Sequence, residues 1–128
     1  VVFVSGFGCL EDIEVWRAAR AFAGDIYAIS SKPPFSRDFS LVDQIRRAGN
    51  SISLNIAEGF GLFNDKEFRR HLTIARGSTP EVKGALYLAF DRSYISDKTS
   101  DKTLEEMKKK SERLARRISS LMVYLAEG

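Results

Sequence analysis

The sequence predicts an all-α fold, an antiparallel up-down-up-down four-helix bundle, and three observations carry that prediction. Apolar residues recur at steps of three and four through four long segments. Proline, glycine and polar clusters separate those segments. No alternating strand pattern is visible beyond residues 1–4.

The first helix is expected over about residues 12–31. Val15, Ala19, Phe22, Ile26 and Ile29 form its stripe, and Lys32-Pro33-Pro34 stops it because proline lacks the amide donor. The second runs over about residues 40–60, with Ser40 as N-cap and a stripe of Leu41, Ile45, Ala48, Ile52 and Ile56. Gly59 and Gly61 mark its end, where a left-handed residue would satisfy orphan carbonyls.

Asn64 or Asp65 caps the third helix, residues 65–93, whose heptad reads Phe68, Leu72, Ala75, Thr79, Val82, Leu86, Ala89. Pro80 interrupts it. Thr79 could cap a fresh helix there with Pro80 in its first turn, but the heptad continues across the proline. One long helix, kinked near Pro80, is therefore expected. After a polar loop the last helix spans about residues 101–126, carrying Leu104, Met107, Ser111, Leu114, Ile118, Leu121 and Leu125. Short connections favour antiparallel neighbours.

The 128 residues suit one domain, 1–128, with residues 1–11 as an N-terminal arm. The apolar run Val1-Val2-Phe3-Val4 is too short for a signal core, and no stretch is long and uncharged enough to span a membrane. Cys9 is the only cysteine, which excludes an intramolecular disulfide and thiolate-rich zinc sites and fits a reducing, cytoplasmic setting. Twenty Lys and Arg against 17 Asp and Glu leave a net charge of +3, which permits a polyanionic partner without demanding one.

A second set of apolar residues lies off the main stripes. Trp16, Ala23 and Tyr27 project about 100° from the first helix's core face. Ile74, Ala85 and Leu88 do the same on the third helix, and Leu54 points almost opposite Ile45 on the second. Scattered exposed apolar residues are ordinary singly. The same surplus on three helices predicts a subunit interface, with Trp16, Tyr27, Leu54, Ile74 and Leu88 as candidates.

Several stretches resemble one family. They are Glu11-Asp12-Ile13-Glu14-Val15-Trp16, then Asp43-Gln44-Ile45-Arg46-Arg47-Ala48, Ser51-Ile52, and Asn55-Ile56-Ala57-Glu58-Gly59-Phe60-Gly61. Lys66-Glu67-Phe68, Ala75 with Gly77-Ser78, and Glu81 continue the match. Together they resemble the four-helix-bundle proteins encoded in intervening sequences of bacterial large-subunit (23S) ribosomal RNA genes, and are similar to accessory proteins of diversity-generating retroelements. Gly49, Leu54, Leu62-Phe63 and Pro80 depart from that pattern. The resemblance implies a homo-oligomer, a barrel-like pentamer, with nucleic acid as a partner in the retroelement case. It implies no settled activity.

Gln44, Arg47, Ser51, Asn55 and Glu58 line one edge of the second helix. As a recognition groove this edge would offer Arg47 to phosphate or carboxylate. As a hydrogen-bonded seam it would pair Arg47 or Arg46 with Glu58, Glu81 or Glu14, and the seam is the favoured reading. His71, the only histidine, is read as a solvated or interface residue, since a triad or zinc site would need companions. Glu105-Glu106 complement a helix dipole, and no Glu-x-x-His pair suggests a di-iron centre. No catalytic residue, metal or cofactor is expected.

The basic clusters are Arg46-Arg47, Arg69-Arg70 with Arg76, and Lys109, Arg113, Arg116 and Arg117. Glu105, Glu106 and Glu112 dilute the last, but symmetry in an oligomer would multiply each small patch. No stacking platform is evident on these faces, so any nucleic-acid contact is expected to be phosphate-led and salt-sensitive. The expected function is a non-enzymatic homo-oligomeric accessory protein that contacts RNA or DNA through its basic surface. The alternative is a scaffold binding another protein without nucleic acid.

Overall fold

A computed structural model describes residues 6–127, so the apolar run at residues 1–4 lies outside the described part. Four α-helices form a bundle: α1 Glu14–Ser30, α2 Phe39–Gly61, α3 Asp65–Asp91 and α4 Thr103–Glu127. No named strand occurs among the described residues. Neighbouring helices meet with residue numbers running in opposite senses. On α1 and α2, Ile26 faces Gly49 while Ser30 reaches Arg46. On α2 and α3, Asn55 meets His71 and Ser51 meets Ser78. On α3 and α4, Arg76 meets Ser119 and Lys83 meets Glu112. Glu14 of α1 meets Arg117 of α4, and Asp25 meets Lys110.

The predicted stripes form the core. Ala19, Ile26, Ile45, Ile52, Ile56, Phe68, Leu72, Ala75, Val82, Leu86, Ala89 and Ile118 are fully enclosed. Burial of the Ile, Leu, Val and Phe side chains among them stabilises the fold by roughly 1.5–3 kcal/mol each. Ile29 is only partly buried, and Ser30 takes the enclosed position beside it. Ala85, read from the sequence as surplus, is buried in the bundle as well.

Helix ends differ from expectation for local reasons. Residues 10–12 form a 3-10 turn, so α1 starts after the buried Ile13. Asp38, not Ser40, caps α2: its Oδ1 accepts from Leu41 N–H at 3.2 Å. Its Oδ2 accepts from Arg92 at 2.8 Å and Tyr94 at 2.9 Å, which fixes the carboxylate in the capping position. Tyr94 in turn stacks on the buried Phe35, with ring centroids 5.3 Å apart. Asn64 caps α3 by accepting from Glu67 N–H.

The left-handed residue after α2 is Phe63 (φ 54°), and the helix runs through Gly59 and Gly61. Gly59 serves packing instead. A Cβ there would lie 2.7 Å from the Cβ of His71, so α3 approaches α2 where only hydrogen fits. At the end of α3, Ser93 (φ 62°) is left-handed, with Ser93 N–H on Phe90 O and Tyr94 N–H on Ala89 O. That pairing satisfies the last carbonyls in the Schellman manner.

Helix α3 is continuous across Pro80. Proline deprives the Arg76 carbonyl of its usual amide donor. The Thr79 hydroxyl donates to that carbonyl at 2.8 Å and supplies a substitute. Ser111 of α4 donates to Thr79 O at 2.9 Å, tying the same turn to the neighbouring helix.

Candidate functional site

The predicted polar seam divides into a closed inner part and an open outer part. Inside, Ser78 Oγ donates to Ser51 Oγ at 2.9 Å, and Asn55 Nδ2 donates to Ser51 O and Oγ at 2.9 and 3.0 Å. Asn55 Oδ1 lies 3.1 Å from His71 Nδ1, and Arg70 Nη2 lies 3.3 Å from His71 Nε2. The neutral ring with its proton on Nδ1 satisfies both: it donates to Asn55 and accepts from the guanidinium. Glu58 Oε2 stands 3.8 Å from Nδ1, beyond hydrogen-bond reach.

His71 is 5% exposed, which corrects its reading as a solvated residue. The signal was present in the sequence: His71, Ser78 and Ala85 stand seven residues apart, a second helical stripe beside the Phe68 heptad. That stripe is the α3 surface facing α2. The seam is therefore built from serine, asparagine and histidine rather than from ion pairs.

The outer part follows a different plan. Arg47 pairs with Asp43 at 2.9 Å along its own helix, not with Glu58, Glu81 or Glu14. Gln44, Arg47 and Glu81, with Ser40 and Asp43, border a shallow polar depression at the surface. Arg46 turns the other way, bonding Ser30 Oγ at 2.9 Å and Ser31 Oγ at 3.0 Å and lying 4.2 Å from the Tyr27 ring centre.

The remaining basic candidates are spread over several faces. Arg70 pairs with Glu67 at 2.9 Å, Lys109 with Glu105 at 3.0 Å, and Arg117 with Glu14 at 3.2 Å. The Glu105 carboxyl is held below its usual range by its hydrogen bond to Lys109. Arg76 donates to Ser119 at 3.3 Å. The buried Nε of Arg69 has no hydrogen-bond partner among the described residues. Arg113 and Arg116 have no hydrogen-bond or ion-pair partner among the described residues. With Arg117 they line a groove between α1 and α4, a cavity of about 490 Å³ whose apolar wall includes Val15 and Leu121. A smaller cavity of about 230 Å³ continues it past Ala18, Phe22 and Leu114.

Of the interface candidates, Leu54 is 64% exposed and Ile74, Leu88 and Tyr27 less so, while Trp16 is half-buried with Arg20 over its ring. Leu54, Ile74 and Leu88 share the outer face of the α2–α3 pair. No group of three or more metal-ligating side chains occurs among the described residues. No described helix is long and apolar enough to cross a membrane.

Residues 11–120 match the family described as 23S rRNA-intervening sequence protein, and the chain belongs to that family. It is also similar to the crystal structure of a protein with unknown function from the S23 ribosomal protein family of Bacteroides thetaiotaomicron. The two share 24% identity over 84% of this chain and 97% of that one, with a TM-score of 0.73. At that identity the likeness speaks for the fold alone. No curated protein matches the chain.

Proposed function

We propose that this chain is a cytoplasmic, non-enzymatic accessory protein that assembles with copies of itself and contacts RNA or DNA through the arginine face of α4. The observation that carries this reading is the pair Arg113 and Arg116, which stand beside Arg117 without any carboxylate partner among the described residues. Two guanidinium groups left unpaired on one helix face are free to take phosphate, each as a two-pronged fork. The family description names a 23S rRNA-intervening sequence, which makes RNA the first polyanion to try. Assembly rests on the outer α2–α3 face, where Leu54, Ile74 and Leu88 are exposed together. Five subunits is the number to test first.

Binding of labelled RNA and DNA oligonucleotides against salt concentration tests the nucleic-acid half. The expected result is affinity that falls with salt and shows little sequence preference. Replacing Arg113 and Arg116 by Ala should weaken binding to all sequences alike and lower the salt slope by about one per residue. Absence of binding at low salt, or a response flat in salt, overturns the reading and leaves the protein-binding scaffold.

A further inference from the structure

We infer that the outer face of the α1–α2 pair is a stacking platform for single-stranded nucleic acid, distinct from the arginine face of α4. The inference rests on the nucleic-acid reading above and names the form of nucleic acid taken. Trp16, Arg20, Ala23 and Tyr27 follow one another at steps of four, three and four, so they line one stripe of α1. Arg46, Asn50, Ser53 and Ala57 line the α2 stripe beside it at the same steps. Neither stripe holds an acidic residue.

Aromatic and arginine side chains alternate on this face and touch. The Arg20 guanidinium lies 5.7 Å from the centre of the Trp16 ring, and that of Arg46 lies 4.2 Å from the Tyr27 ring. Neither arginine has a carboxylate partner among the described residues. Arg46 is held in place by its bonds from Nε to Ser30 and from Nη2 to Ser31, so its Nη1 edge remains available to a phosphate oxygen. A fixed fork next to an aromatic ring suits a nucleotide, whose phosphate and base lie side by side.

Charge selects the occupant. A second copy meeting this face through the same face would bury Arg20 and Arg46 against one another with no carboxylate between them, at a desolvation cost. A phosphate chain supplies the missing negative charge, and unstacked bases supply π-faces for Trp16 and Tyr27. The stripe from Trp16 to Tyr27 is about 16 Å long at 1.5 Å per residue, enough for several nucleotides. Duplex DNA or RNA keeps its bases stacked internally and offers no such faces.

Trp16 is the only tryptophan, so its fluorescence reports on this face alone. The experiment titrates the full chain with oligouridylate and oligothymidylate of about 12 nucleotides, and with a duplex of the same length. The expected result is quenching of Trp16 by both single strands and little change with the duplex. Tyr27→Leu and Arg20→Gln should each weaken single-strand binding on the order of tenfold and leave duplex binding unchanged. Both substitutions sit at exposed positions, so they keep the test clear of unfolding. Unquenched fluorescence together with unchanged affinity in these variants, while loss of Arg113 and Arg116 still weakens binding, overturns this inference and leaves the α4 reading standing. Dispersal of an assembly by Tyr27→Leu without any loss of single-strand affinity also overturns it and makes the face a contact between copies. Failure of the parent chain to bind any oligonucleotide at low salt removes both readings.

Discussion

Asn55 on α2 and His71 on α3 meet at 3.1 Å, and through them a chain of polar contacts runs from Ser78 to Arg70 along an otherwise apolar helix contact. Asn55 is the hub, donating to Ser51 while accepting from the imidazole. Replacing it with Ala strands the His71 Nδ1 proton in a nearly enclosed site. We expect Asn55→Ala to destabilise the fold by about 1–3 kcal/mol. Urea denaturation measures it, and a loss below a few tenths of a kcal/mol would mean that water replaces the amide.

The two glycines near the end of α2 should respond with opposite signs. Gly59→Ala places a methyl 2.7 Å from His71 Cβ and 3.0 Å from a Phe68 ring carbon. Forcing the helices apart costs about 1–3 kcal/mol. Gly61→Ala meets nothing within 4 Å and exchanges a poor helix former for the best one. It should stabilise by up to about 1 kcal/mol. Thermal melts of the two variants, side by side, check the contrast.

The apolar heptads were legible because each helix repeats one signal many times. Ile45, Ile52, Phe68, Leu86 and Ile118 each sit in a row of similar residues, and all are enclosed. The caps and seams were less so, because each depends on one side chain whose partner is distant in sequence. Asp38 outcompetes Ser40 as cap through Arg92 and Tyr94, more than fifty positions away. Gly59 read as a stop because its reason lies in His71 on another helix. Among the basic residues the sequence displayed the charges but not the pairing: Arg47 and Arg113 look alike in a row of letters, and only the fold separates the one held by Asp43 from the one left open.

Thr79 and Pro80 should prove energetically coupled. The Thr79 hydroxyl bonds the Arg76 carbonyl, which Pro80, having no amide hydrogen, leaves without its usual helical donor. Thr79→Val should therefore cost about 1 kcal/mol in the parent. In a Pro80→Ala background the backbone amide returns and the cost should fall towards zero. A double-mutant cycle reads the difference directly. Additive losses would show that the hydroxyl plays no substitute role. A bend of α3 beside Pro80, expected from the ring's clash with the preceding turn, can be measured in a crystal structure of the same pair of proteins.

Acid should loosen the bundle at the Asp38 cap. Asp38 is held below the ordinary carboxylate range, first by the Leu41 backbone amide and then by the Tyr94 hydroxyl and Arg92. A depressed folded value means that the unfolded chain takes up the proton first as pH falls. The stabilisation is thus complete at neutral pH, starts to be lost near the ordinary aspartate value of about 4, and is gone below the folded value. Asp38→Asn retains a capping oxygen but cannot change charge. Its stability should vary less with pH below about 5 than that of the parent. Denaturation midpoints across that range decide it, and parallel pH curves for the two proteins would exclude Asp38 as the source.

Self-association is the prediction with the widest consequence. Leu54, Ile74 and Leu88 lie on the outer face of α2 and α3 and remain exposed after the bundle has closed. Glu58, Glu81 and the paired Arg47 and Arg70 border them on the same face, so a polar rim surrounds an apolar strip. Interface cores have that composition. In a closed ring each copy presents this strip to a different surface of its neighbour, so one altered residue damages every contact in the ring. Leu54→Glu introduces a charge at the strip while keeping a good helix former at an exposed position. Its circular dichroism should match that of the parent, and its mass should fall to that of one chain. Light scattering coupled to gel filtration gives both masses at micromolar concentration. A parent protein that elutes at 14.4 kDa would end the assembly reading. An assembled parent whose Leu54→Glu variant stays assembled would move the contact to another face, and the α1–α2 aromatics would be the next to test.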